Sequence, residues 1–363
     1  MHQDTIRSDF AADVKLIRCE QAGPPLAAAL RSWKIAASVA LLASGLVGRF
    51  SISPSGVPRE HGEADVLYHT DGKGHFVPVS WIDGTFLDEE GNPLSTPPYD
   101  WGLGVMFRDL NGDGAPDLYV CNDSHSPDRI WINLGRGRFQ AIARTAIRKT
   151  SLSSMGVDVA DINRDGLDEI FVLDMLSRDH QINNVLKAEK KLTSVQQLFL
   201  RKLLPSYATS PKIYRNRGDL TFEDRSREWG FSYVGVSQGM CLADLDNDGD
   251  LDVVVNNLNG PAGIYGNESS APRVAVRLKG LPPNTRGIGA KIWLYGGAVP
   301  MQSQEMICGG RYLSSDDAMR VFAAGSLTNE MRIEVKWRSG KRSVMNGVMA
   351  NRIYEIDEVG AAS

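Results

Sequence analysis

Apolar positions along this chain fall mostly into short runs typical of strands. Leu118-Tyr119-Val120, Ile170-Phe171-Val172 and Val253-Val254-Val255 are compact runs of β-formers. A second set, Leu67-Tyr68, Ile130-Trp131 and Ile213-Tyr214, leads through a short turn to Phe76, Phe139 and Phe222, the pattern of strand, turn, strand. After Pro272 the runs Val274–Leu278, Ala290–Tyr295 and Met331–Trp337 alternate with a period of two, which predicts half-buried antiparallel strands. One stretch departs from this. Between 177 and 206, Ile182, Val185, Leu186, Leu192, Val195, Phe199 and Leu203 return at three and four, which predicts an amphipathic helical insertion. Its polar positions include Lys187, Lys190, Lys191, Arg201 and Lys202, read as a solvated face.

Spacing joins the strand runs into a repeat. Trp131 to Asp161 is 30 residues and Tyr214 to Asp244 is again 30, within a period of about 52, a length suited to a four-stranded propeller blade. A Gly stands five residues before each acidic loop (Gly104, Gly156, Gly239). Gly84 to Pro98 reads as an extra loop. The expected fold is all-β: a partial β-propeller of three to four blades over 65–267, followed by a β-sandwich-like domain over 272–358. A partial propeller leaves an open edge. The C-terminal strands, self-association or a partner would close it, unless the chain is a fragment of a longer gene.

Between the strands the same acidic phrase is written three times: Asp109-Leu-Asn111-Gly-Asp113-Gly, Asp161-Ile-Asn163-Arg-Asp165-Gly and Asp244-Leu-Asp246-Asn-Asp248-Gly. Oxygen side chains at alternate positions followed by Gly let a short loop wrap a hard cation, and the absence of His or Cys favours Ca2+. Position nine offers a further oxygen (Asp117, Glu169, Asp252), and position seven a main-chain carbonyl (Ala115, Leu167, Asp250). An EF-hand would need Glu at position twelve, where Val120, Val172 and Val255 stand. Asp244–Asp252 has the most acidic ligand set, and the metal's expected role is structural.

The calcium phrase and blade spacing resemble the FG-GAP/VCBS repeats of integrin-α-type propellers. The order Asn284-Thr-Arg286-Gly-Ile-Gly-Ala290, Gly309-Gly-Arg-Tyr312-Leu-Ser314 and Val335-Lys-Trp337-Arg-Ser339-Gly340 resembles the ASPIC/UnbV domain found after such repeats in the cartilage acidic protein-like family. Arg338 stands where that family usually has Pro, and Arg320-Val-Phe322 replaces its usual His-Phe-Gly strand. The resemblance implies an architecture more than an activity.

Charge and targeting narrow the function. A net charge of −4 argues against nucleic acid as a partner. Residues 1–50 form an N-terminal extension in which Arg31–Val47 has the layout of a secretory signal, too short and Ala-rich for a stable membrane span. This predicts a secreted, periplasmic or cell-surface protein. Cys121, Cys241 and Cys308 would remain after cleavage, an odd number that forces no disulfide framework. No P-loop or metal-spaced His pair occurs. The expected function is therefore an exported, non-enzymatic calcium-binding module for adhesion or interaction with a protein or glycan. The alternative is an enzyme or enzyme partner in enediyne-type secondary metabolism or polysaccharide processing.

Overall fold

The computed structural model describes residues 50–52, 58–123, 126–148, 150–151, 153–175, 210–307 and 309–359. The helical insertion expected over 177–206 and the signal-like segment 31–47 lie outside these residues. The chain divides between Arg59 and Glu60, and of the first part only β1 (Phe50–Ile52) and the start of β2 (Pro58–Glu60) are described.

Among the described residues every regular element is a strand. β1 and β2 pair, as do β3 (Tyr68–Thr70) and β4 (Phe76–Pro78). A five-stranded sheet follows, built from β5 (Phe86–Leu87), β6 (Gly102–Arg108), β7 (Asp117–Asn122), β8 (Arg129–Asn133) and β9 (Phe139–Ala141). The next has four strands: β10 (Ser154–Ala160), β11 (Glu169–Asp174), β12 (Lys212–Asn216) and β13 (Phe222–Asp224). The last of the series has three: β14 (Ser237–Ala243), β15 (Asp252–Asn257) and β16 (Gly263–Tyr265).

Four of these sheets belong to the part that begins at Glu60 and β1–β2 is a further one, so the series counts five sheets where three to four blades were expected. The miscount has a simple cause. The sheets β1–β2 and β3–β4 are two-stranded and carry no acidic phrase; the Leu67-Tyr68 to Phe76 run marks β3–β4 as strand, turn, strand, but nothing in the repeat pattern marks β1–β2.

The three fuller blades stack by one rule. Residues opposite one another across a blade form a row on one face, because side chains alternate along each strand. Met106, Tyr119 and Ile130 form the far row of the β6–β9 blade, and Val159, Ile170 and Tyr214 form the near row of the next. Both rows are buried in one cluster. Phe171 and Ile213 then meet Leu242, Val253 and Tyr265 of the three-stranded blade in a second cluster. At about 1.5–3 kcal/mol for each large apolar side chain taken from water, these two seams hold the stack together.

Glycine explains how closely the inner strands approach. A Cβ on Gly104 would lie 2.5 Å from the Met155 carbonyl oxygen, and one on Gly156 would lie 2.7 Å from that of Gln238. The Gly that precedes each loop by five residues is thus the point where one inner strand passes the next.

The Gly84–Pro98 stretch is core as well as loop. Phe86 is fully buried, and with Trp81 it packs on Trp131 and Phe139, covering the outer part of the β6–β9 blade. β5 pairs with β9 in parallel.

The C-terminal part is a two-sheet sandwich. One sheet holds β17 (Arg273–Lys279), β20 (Met319–Ala323) and β23 (Arg352–Asp357), in the order β20-β17-β23. The other holds β18 (Lys291–Tyr295), β19 (Met301–Glu305), β21 (Met331–Lys336) and β22 (Arg342–Val348), in the order β19-β18-β21-β22. Val274, Val276, Ile292, Leu294, Phe322, Ile333, Val335 and Trp337 fill the space between them.

Candidate metal centre

Each acidic phrase lies in the turn that joins β6 to β7, β10 to β11 or β14 to β15, where the chain reverses within a few residues. Gly114, Gly166 and Gly249 sit at φ of +88°, +92° and +89°, a region that L-residues with a Cβ rarely enter, so the sixth position demands Gly.

In the first two loops the leading carboxylate is held by backbone donors. Asp109 accepts from the N–H groups of Gly112 (2.8 Å), Asp113 (3.1 Å) and Gly114 (2.8 Å). Asp161 accepts from Asp165 (3.1 Å) and Gly166 (2.8 Å). Asn111 and Asn163 accept from Asp113 and Asp165, while Asp113 and Asp165 accept from the N–H groups of Ala115 and Leu167.

The third loop differs. The Asp244 side chain is fully buried, and among the described residues neither carboxylate oxygen has a hydrogen-bond donor. One oxygen each from Asp244, Asp246 and Asp248 lie within 4.8 Å of one another. A buried carboxylate without a donor is costly. A hard cation accepted by three converging carboxylates removes that cost, so this donor set fits a metal ion.

Position nine has a second duty that the ligand reading did not contain. Asp117 accepts from the N–H groups of Leu110 and Asn133, both at 2.8 Å. Glu169 accepts from the N–H of Ile162 (3.0 Å) and from Asn163 Nδ2 (3.1 Å). Asp252 accepts from Leu245 (2.9 Å) and Asn267 (2.8 Å). The carboxylate thus clamps each loop at its second residue. Position seven is unequal: the Asp250 side chain forms a buried ion pair with Arg164, which belongs to the second loop and also donates to the Ala271 carbonyl. Sequence reading also missed an Asn at the end of each third strand. Asn216 Nδ2 donates to the Leu110 carbonyl of the preceding blade's loop, and Asn267 Nδ2 to that of Ile162. The recurrence of Asn133, Asn216 and Asn267 just after the Ile-Trp and Ile-Tyr runs was the available signal.

Electrostatics point the same way. Burial, and then the neighbouring Asp168, push Asp161 up to about 8. Burial raises Asp117 to about 6, and burial with Asp161 and Asp165 holds Glu169 well above the usual range. Asp109 is also raised, chiefly by burial. In the first two loops burial thus outweighs the donors that the loop supplies to its carboxylates, a deficit that a divalent cation is suited to supply.

The sandwich covers these loops. Lys291 Nζ donates to the Gly114 carbonyl at 3.0 Å, Arg273 lies 3.7 Å from Asp248, and Arg277 lies 4.0 Å from Asp244. Val299 packs over Gly166, and a cleft of about 300 Å³ remains between Asp109, Asp161 and the 299–304 segment.

A second contact runs along the inner strands. The Leu242 N–H donates to the Asp316 carboxylate at 3.0 Å, and the Asp317 N–H donates to the Leu242 carbonyl at 3.0 Å. Arg311 is buried between Asp158 (2.8 Å) and Asp316. The Tyr312 carbonyl oxygen lies 3.2 Å from the place of a Cβ on Gly239, the same relation that Met155 and Gln238 have to Gly104 and Gly156. Segment 311–317 therefore stands where the inner strand of a further blade would stand.

Stacked blades with aspartate-rich turns, capped by a sandwich, define a repeat propeller. Residues 109–172 and 200–255 match the FG-GAP-like repeat, and residues 280–363 match the ASPIC and UnbV domain, so the chain joins FG-GAP-like repeats to an ASPIC/UnbV domain. Its sequence is homologous to cartilage acidic protein 1 over 81 % of its length. It is 26 % identical to the Homo sapiens protein over 308 residues and 24 % identical to the Mus musculus protein over 306. The Xenopus tropicalis protein is 24 % identical over 307 residues. The chain spans 42–43 % of the length of these relatives. A solved lectin from Agrocybe aegerita, described as specific for non-reducing terminal N-acetylglucosamine, is similar over 57 % of this chain and 47 % of that one, at 18 % identity and a TM-score of 0.28.

Proposed function

We propose that this chain is an exported, non-catalytic interaction module whose blades are stapled by calcium and whose exposed surfaces take a protein or glycan ligand. The observation that carries the calcium reading is Asp244, fully buried and without a donor among the described residues, beside Asp246 and Asp248. The ligands in this loop would be Asp244, Asp246 and Asp248, with the Asp250 carbonyl and Asp252 completing the set. The corresponding oxygens of Asp109–Asp117 and Asp161–Glu169 would serve the other two loops. Bound metal would join the strand entering each turn to the strand leaving it, so that binding free energy becomes blade stability.

One observation supports a non-catalytic role. Of the raised carboxylates outside the loops, Asp128 and Asp158 are turned inward, while Asp65, pushed up to about 6 by burial and then by Asp100, is half-buried. Asp128 accepts from the Tyr119 and Ser154 hydroxyls, both at 2.7 Å, and Asp158 pairs with Arg311. Export accords with the homology to cartilage acidic protein 1. Among the described residues no helix is long and apolar enough to cross a membrane.

The test is calorimetric. Chelator should lower the melting temperature of the purified chain by several degrees or more, and readdition of calcium should restore it. Asp248→Ala should reproduce part of the loss and weaken calcium uptake in titration calorimetry. An identical melting curve with and without chelator would remove the metal from the account.

A further inference from the structure

The repeat contains its own control for an unfilled binding site. In the four-stranded blade, β13 lies beyond β12 and closes the seam with the preceding blade. Phe222 on β13 is buried in that seam's cluster, and its N–H donates to the Ala146 carbonyl of the preceding blade at 2.8 Å. Ile147 forms a parallel bridge with the same residue. The fourth strand is thus held on both sides: by β12 along its edge, and by the 146–147 segment across the seam.

The three-stranded blade has the same inner strands and the same acidic turn, but β16 is the edge of its sheet. After Asn267 the chain turns away into the sandwich, and the residue corresponding to Phe222 is Arg273, the first of β17. The residues corresponding to Ala146 and Ile147 are Trp229 and Gly230. Among the described residues, the seam beside Tyr265 at the end of β16 holds a cleft of about 410 Å³ lined by Ile213, Trp229, Phe231, Val253, Tyr265 and Asn267. Trp229 and Tyr265 are half-buried, while Ile264 is 70 % exposed.

We propose that this cleft is a strand-accepting site. Its occupant is an extended peptide from another protein, paired along β16 as the missing fourth strand, with one large aromatic side chain set among Ile213, Trp229 and Phe231. The argument for that occupant is the chain's own β13, which fills the equivalent place with Phe222 between polar neighbours, Thr221 and Glu223. Main-chain bonds to a sheet edge supply affinity, and the pocket for one side chain supplies selection. The proposal names a partner class for the interaction module proposed above but does not depend on its metal.

The test uses the full chain in calcium with a fluorescent nonapeptide copied from residues 217–225 (Arg-Gly-Asp-Leu-Thr-Phe-Glu-Asp-Arg). Fluorescence anisotropy should show saturable binding, and replacing the peptide's Phe by Ala should weaken it at least tenfold, on the order of 1.4 kcal/mol. Hydrogen exchange should show new protection over Gly263–Tyr265. Absence of saturable binding at millimolar peptide would overturn the proposal. So would equal binding of the Phe and Ala peptides, or protection confined to other strands. If the peptide fails while chelator still lowers the melting temperature, the strand site falls and the metal reading stands.

Discussion

The buried ion pair of Arg311 with Asp158 carries unusual weight for one side chain. Burial, then Asp316 beside it, pushes Asp158 well above the usual carboxylate range, and Arg311 opposes that shift. Removing one partner of a buried pair strands the other. Arg311→Met should therefore cost about 3–5 kcal/mol in urea unfolding. Adding Asp158→Asn should recover part of it, which a purely steric role for Arg311 would not produce.

Asp128 permits a test with pH. Burial raises it from 3.8 to about 6. The folded state thus holds this proton more tightly than the unfolded chain. Its contribution is complete below about pH 3.8 and is lost as the pH rises through about 6. Relative to Asp128→Asn, the wild type should gain about 2–3 kcal/mol between pH 7 and pH 4, read from paired urea curves. A constant difference across that range would contradict the assignment. Neither Asp128 nor Asp158 was legible in the sequence, because an isolated Asp says nothing about its burial. The loop aspartates were legible because they recur at fixed spacing.

Among the elements, the acidic turns and the strands beside them could be read from the chain, since period-two patterning and the 52-residue spacing agree. The strap from Trp81 to Pro98 could not. Its Gly and Pro content reads as loop, whereas Phe86 and Trp81 form an aromatic core with Trp131. Only tertiary contact distinguishes the two. Phe86→Ala should cost about 3–5 kcal/mol, the range for a buried aromatic, against near-neutrality if the strap were only a surface loop. Denaturant unfolding in calcium decides between them. The same limit applied to β1–β2, whose short strands carry no phrase to count, whereas the Leu67-Tyr68 to Phe76 run did mark β3–β4.

Over the whole molecule, the sandwich touches the propeller twice: across the acidic turns through Arg273, Arg277 and Lys291, and along the inner strands through 311–317. Charge on the loops and docking of the sandwich are therefore linked. A cation that neutralises Asp244 changes what Arg277 faces, and any shift of the sandwich changes the field in the third loop. The order of the C-terminal motifs made the domain legible from sequence. Its position over the turns was not, since nothing local in Arg273 or Arg277 says which carboxylates they will meet.

The carbonyl of Tyr312 against Gly239 gives this molecule an end. Repeat arrays behave as stacks in which each unit is held by its neighbours, and the terminal unit, with one neighbour missing, is the weakest. Here the sandwich supplies that missing neighbour through the turn at 311–317, whose Tyr312 carbonyl takes the place that the next inner strand's carbonyl has elsewhere. Array length is therefore set by the cap's position in the chain, and a whole repeat could be gained or lost upstream without rebuilding the terminus.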